Sequence, residues 1–238
     1  MRILLNLSLI CFFCLFQIAH LMAGPGGTIA KSLSDTKAGK IIVLVLFIVL
    51  FPFVVYKFMA DTLRYKRTSA DLKKLGMHDR QFEWLTLKNR ITNVFTRVHR
   101  AWEKKDLADV SDFMTDWYWQ NQQIVHLDKW EEQGLVNVCE VREISSIKPI
   151  YIQKTNLAKS EGSRVVVSIN ANMEDYLARK SDGKVMEGIK GFKDRTTVWT
   201  FIMEDGQWKV ENIEAQTLLS SYLKMKNQVA PQPVGQMA

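Results

Sequence analysis

Two apolar runs open the chain, a helical repeat of apolar residues follows, and alternating segments close it. The first run, roughly Ile3 to Met22, follows one basic residue, Arg2, and is interrupted by Asn6, Ser8 and Gln17. It ends at Ala23, before Gly24-Pro25-Gly26-Gly27. This pattern predicts a signal peptide over residues 1–23; an uncleaved signal anchor is the alternative, because Leu21 is large for the third position before a cut. Residues 24–40 then form a linker. The second run, Ile41 to Tyr56, carries no charge and is bracketed by Lys40 and Lys57. Phe58 and Met59 extend its apolar face, and the flanking lysines reach toward the headgroups, so residues 41–58 are predicted to span a membrane. A buried soluble helix would show a polar face, which this run lacks; Pro52 is tolerated in a span.

Residues 59–79 are polar, basic and helix-compatible, and read as a juxtamembrane connector. From Phe82 the period is helical: Leu87, Ile91, Val94, Phe95, Val98, Ala101 and Trp102 recur at three- and four-residue steps. A short helix over Leu107 to Met114 is predicted behind an Asp106 cap. A third runs from about Asp116 to Glu132, with Trp117, Tyr118, Ile124, Leu127 and Trp130 expected to be buried. Strands are then predicted at Val136 to Glu143, Ile147 to Gln153, Arg164 to Met173 and Thr196 to Glu204. Asp205-Gly206 is a hairpin signal, and Gln207 to Ile213 is the returning strand. Thr217 to Met225 reads as a closing helix, and residues 227–238 as a disordered tail. Helices followed by an antiparallel sheet make an α+β domain over residues 80–226.

The net charge of +7 is unevenly spread. Residues 57–105 carry thirteen Lys/Arg against five Asp/Glu, whereas residues 106–238 carry fifteen against nineteen. The basic excess sits beside the predicted span, which points to anionic lipid as a partner, with Arg64, Lys66, Arg67, Lys73 and Lys74 as candidate lipid-binding residues. Six basic residues follow the span within about twenty positions and three precede it after Ala23, so the domain is expected on the cytoplasmic side of a cell inner membrane. Cys11 and Cys14 lie in the first apolar run, and Cys139 stands alone in the soluble part, where no disulfide can form.

The stretch from Phe95 to Gly134, then the strand block, then Thr196 to Ala215, resembles the Tim44-like domain, the C-terminal domain of a mitochondrial inner-membrane import-motor subunit shared with bacterial membrane-anchored proteins. Phe95, Ala101-Trp102, Asp106, Leu107, Phe113, Trp117, Trp199, Phe201, Trp208 and Ile213 carry the resemblance. It implies a nuclear-transport-factor-two-like cone, with helices packed into a curved antiparallel sheet around a hydrophobic cavity. It also implies membrane association, protein partners and no catalysis.

Trp102, Trp117, Tyr118, Trp130, Trp199 and Phe201 are the aromatic residues that would line such a cavity; plain core is the competing reading. An enzyme of this shape needs an acid or histidine in the cavity. Positions Val165 to Asn172 and Val198 to Met203, the two faces of the central strands, hold no carboxylate, and His99 and His126 read as surface or satisfied core residues. No metal-ligand spacing and no phosphate-binding loop is present, so no cofactor, no metal and no nucleic-acid partner is expected. The expectation is therefore a membrane-anchored, non-enzymatic binding or scaffold protein engaging lipid and protein partners, in protein translocation or membrane-protein assembly. The alternatives are a structural component of a secretion-type assembly and a small-molecule enzyme. Homo-oligomerisation stays open.

Overall fold

The computed structural model describes residues 36–154, 156 and 158–230. The predicted signal segment, the linker as far as residue 35 and the tail from residue 231 lie outside the described residues. The chain divides into two units near residue 60.

In the first unit the uncharged run is helical and forms the start of α1 (Lys37–His78), with Pro52 inside it. Among the described residues it is the one helix long and apolar enough to cross a membrane, with a mean hydropathy of 2.1 over its apolar stretch and no part of that stretch buried. An apolar surface with nothing packed on it fits a membrane anchor.

In the second unit the remainder of α1 belongs to the domain. Thr68, Leu72 and Leu75 are buried, and the two leucines join the main core. Residues read as a connector are therefore a packed helix; the sequence shows this only as three buried positions among exposed charges. A single 3₁₀ turn (Arg80–Phe82) leads into α2 (Trp84–Lys104). Glu83 caps α2, its carboxylate accepting from the backbone N–H groups of Leu85 and Thr86 at 2.9 and 2.6 Å. A second 3₁₀ segment (Ala108–Phe113) precedes α3 (Asp116–Gln122), a π-helical stretch (Gln123–Asp128) and α4 (Lys129–Glu132).

Strands β1 (Leu135–Lys154), β2 (Arg164–Arg179), β3 (Val185–Glu204), β4 (Gln207–Ala215) and β5 (Gln228–Val229) form one sheet in the order β4-β3-β2-β1-β5. All neighbours are antiparallel except β1 and β5. Three register shifts in β1–β2 and two in β2–β3 bend these long strands. At the β3–β4 turn Asp205 and Gly206 have φ of 54° and 71°, the left-handed pair that matches strand twist in a two-residue hairpin.

One sheet face, with Val165, Val167, Ile169, Trp199, Phe201 and Val210, packs on the α2 stripe that the sequence predicts. The other face, with Ile150, Tyr151, Val166 and Val198, is covered by Tyr65 of α1 and Leu223 of α5 (Leu219–Lys224). The buried ammonium of Lys154 pairs with Asp79 at 2.9 Å and lies over the Phe82 ring at 4.7 Å, tying β1 to the α1–α2 junction.

Two further expectations change. Trp117 and Ile124 are exposed while Tyr118 and Leu127 are buried. The π-helical stretch underwinds the helix ahead of Leu127, so a uniform 3.6 period misplaces Ile124, whereas Trp117 is turned out because its neighbour Tyr118 is turned in. Residues 227–230 are ordered: Gln228 and Val229 pair with the end of β1, and the Asn227 side chain accepts from the Ile152 N–H at 3.2 Å.

Candidate functional site: a cavity at the open end of the sheet

A cavity of about 760 Å³ lies between α2 and the ends of β1–β4. α2 contributes the consecutive Val98 and His99 and, one turn on, Trp102; Trp199 of β3 and Cys139 of β1 line the cavity with them. A smaller recess of about 220 Å³ shares Trp102, Asp175, Glu187 and Arg195 with it and adds Trp130 and Asn137.

The shape of the opening comes from an irregularity in the β2–β3 pairing. Met173 faces Lys193, but Asp175 faces Ile189, so Lys190 to Phe192 arch out of register. Gly191 at φ 101° turns the arch, and its N–H donates to the Glu174 carboxylate. Gly188, at φ 82°, lets the strands close again: a Cβ there would stand 2.8 Å from the Asp175 carbonyl oxygen.

His99 packs between Phe95 and Trp199, with ring centroids 4.0 and 5.6 Å away. Its Nδ1 is 2.8 Å from the Phe95 carbonyl, which can only accept. The proton is therefore on Nδ1, and Nε2 carries the lone pair. Burial pushes the imidazole down to about 4, so it is neutral at pH 7. The same cause pushes the Cys139 thiol up to about 12, which leaves it inert.

Arg195 donates to the Asp175 backbone carbonyl at 2.7 Å and lies 3.8 Å from its carboxylate. Burial raises the Asp175 carboxyl above its usual range, Arg195 opposes this, and Glu187 adds to it. Glu187, Asp194 and Glu214 also border the cavity; the Asp194 carboxylate accepts from Asn172 at 3.1 Å and that of Glu214 from the Tyr222 hydroxyl at 2.8 Å. The Nε of Arg195 and the Nε1 of Trp102 are buried donors without a hydrogen-bond partner among the described residues.

Of the six candidate cavity residues, Trp102, Trp130 and Trp199 stand at these recesses. Tyr118 and Phe201 are enclosed in the core, and Trp117 is on the surface. The acids of the cavity are missing from the sequence reading because it ends β2 at Met173. The alternation that points Val165, Val167, Ile169, Ala171 and Met173 inward carries on to Asp175, and extending the strand by two residues would have found it.

The five basic candidates lie apart from the cavity on α1. Arg64 is paired with Asp61 at 2.9 Å, and Arg67 donates to the Met225 carbonyl at 2.6 Å. Lys66, Lys73 and Lys74 are exposed. Lys73 borders an apolar recess of about 380 Å³ with Leu72, Met77 and Trp84, which the sequence does not announce.

A family model of the Tim44-like domain matches residues 68–215. The chain belongs to the Tim44-like domain family. The matched stretch opens at the buried Thr68 of α1 and closes with β4, so the Tim44-like domain contains most of the cavity wall, Lys73 and Lys74, while Arg64, Lys66 and Arg67 precede it. No curated protein matches the chain. A solved structure, the intermembrane space region of the chloroplast protein ARC6, is similar at 11% identity with a TM-score of 0.38, covering 55% of this chain and 95% of that one.

Proposed function

We propose that this Tim44-like protein is a membrane-tethered, non-enzymatic scaffold: its apolar helix anchors it, the lysines of α1 hold anionic headgroups, and the domain presents itself to protein partners in translocation or membrane-protein assembly. One observation carries the reading. Lys66, Lys73 and Lys74 are exposed on α1, the helix that also contains the apolar segment, and no carboxylate of the described residues is paired with them. Each such charge near an anionic leaflet gains roughly 1 kcal/mol, fading over a Debye length of about 8–10 Å. Arg64 and Arg67 contribute less, because each already has a partner within the domain.

The test uses the full chain in nanodiscs of neutral or anionic lipid, with lysine acylation read by mass spectrometry. Lys66, Lys73 and Lys74 should react more slowly in anionic discs, and the protection should vanish as salt rises. Equal reactivity in both lipids would refute the lipid contact. The basic excess after the span also supports a cytoplasmic domain; a reporter fused after Ala238 that is active only outside the cytoplasm would reverse that orientation.

A further inference from the structure

We infer that the cavity between α2 and β1–β4 is a binding site for an organic cation: an amine or quaternary ammonium carried on an apolar or aromatic body. The inference does not depend on how α1 meets lipid. It rests on three features of the same walls.

The first is size. About 760 Å³ accommodates an ordinary small molecule, and closed cores leave no void of that kind. The second is the aromatic surface. Trp102 lines both recesses with its indole partly exposed, and the neutral His99 ring lines the cavity backed by the buried Trp199. Indole faces attract cations through the ring quadrupole, and more strongly where water is excluded. The third is the sign of the charge. Asp175 and Glu187 stand with one guanidinium, that of Arg195, while Asp194 and Glu214 accept from Asn172 and from the Tyr222 hydroxyl. Arg195 is already engaged by the backbone carbonyl and carboxylate of Asp175, so its charge is spent inside the wall. Glu187 has no ion-pair partner among the described residues. Like charges in one concavity repel, and a bound cation relieves that repulsion, whereas an anion would add to it.

The polar atoms agree with such a guest. Among the described residues His99 is hydrogen-bonded at Nδ1 alone, which leaves the Nε2 lone pair to an N–H of the ligand. The buried Nε1 of Trp102 and Nε of Arg195 lack acceptors, which places an acceptor atom, such as a hydroxyl or carbonyl oxygen, on the ligand body.

The test is isothermal titration of the full chain in an uncharged sugar-detergent micelle, with empty micelles subtracted, against three probes of one shape: 3-phenylpropylammonium, 3-phenylpropanol and 3-phenylpropanoate. The ammonium should bind roughly tenfold more tightly than the alcohol, and the carboxylate more weakly than either. Glu187→Gln, at an exposed rim position, should weaken the ammonium several-fold and leave the alcohol unchanged. Trp102→Leu should weaken both; if that variant fails to fold, the Glu187→Gln pair of titrations decides alone. Equal binding of the three probes, no binding of any, tightest binding of the carboxylate, or an unchanged ammonium affinity in Glu187→Gln each overturns the inference. The lysine-acylation experiment reads α1 and is unaffected by any of these outcomes.

Discussion

The two ends of one sheet obey different rules. Toward the β3–β4 hairpin the inward side is closed: Trp199, Phe201, Met203 and Trp208 are buried against α2 and Phe82, and the Trp208 Nε1–H donates to the Gln81 carbonyl at 2.9 Å. Toward the β2–β3 turn the same strands carry Asp175, Glu187 and Arg195, the pairing slips, and buried polar atoms lack partners. Apolar packing dominates stability, so the closed end holds the domain together. The open end is where the fold tolerates unpaired groups, and it is there that the cavity sits.

The sharpest way to break this comparison is to cut large side chains from the closed end. Trp199→Ala and Trp208→Ala should each cost about 3–5 kcal/mol, a large share of a single domain's stability, by loss of transfer energy and creation of a void. Chemical denaturation of the purified chain measures this. A loss below about 1 kcal/mol for Trp208→Ala would mean that the hairpin is not part of the core. Trp199 touches both ends, since it also lines the cavity, so Trp208 is the cleaner probe.

The second test uses acid, and works through His99 at the boundary between the two ends. The ordinary histidine value is about 6.5, and in the folded domain burial lowers it to about 4. The unfolded chain therefore binds a proton between those values while the folded one does not. Stability is unaffected above about pH 6.5 and is lost progressively as pH falls toward 4, by at most about 3 kcal/mol. His99→Gln should remove that slope. An identical pH dependence in wild type and variant would show that the ring is solvated and that water reaches the cavity wall at His99.

A smaller effect is expected at the seam of the open end. Gly188→Ala adds a Cβ 2.8 Å from a backbone oxygen at a φ of 82°, and both the clash and the conformation are unfavourable. The cost should be about 1–3 kcal/mol. Because the strain is local, amide exchange should rise around Asp175 and Tyr176 while the β3–β4 hairpin keeps its protection. Uniform loosening would make the two ends one cooperative unit and remove the contrast.

The same contrast decides what the sequence discloses. The α2 stripe, the alternation of β2 up to Met173 and the Asp205-Gly206 turn are legible because burial on one side leaves a period. The stretch Val185 to Arg195 carries charges and glycines with both sides largely exposed, so hydrophobicity says nothing of a strand that its backbone pairing nonetheless makes. With that strand unread, the cavity acids go unread too. The second half of α1 is hidden differently: its exposed lysines outweigh Leu72 and Leu75, whose partners come from far along the chain. Cys139, by contrast, is legible as a lone cysteine and reveals its burial only in the fold.

The smallest expected effect falls on the tryptophan that sequence periodicity places inside. α3 begins at Asp116, and the Thr115 N–H donates to the Val210 carbonyl at 2.9 Å, which fixes how the helix leaves the sheet. Successive residues on a helix point about 100° apart, so with Tyr118 turned inward Trp117 faces solvent, and it is 71% exposed. Trp117→Ser removes no buried contact and should change stability by less than about 0.5 kcal/mol. Fluorescence supplies a second readout. The other six tryptophans are buried or half-buried, so deleting the exposed one should move the emission maximum of the chain to the blue. Stability lost by more than about 1 kcal/mol, or emission left in place, would put Trp117 inside a contact. The outer side of α3 would then belong to the closed end of the domain, and the boundary between packed core and open surface would have to be redrawn along that helix.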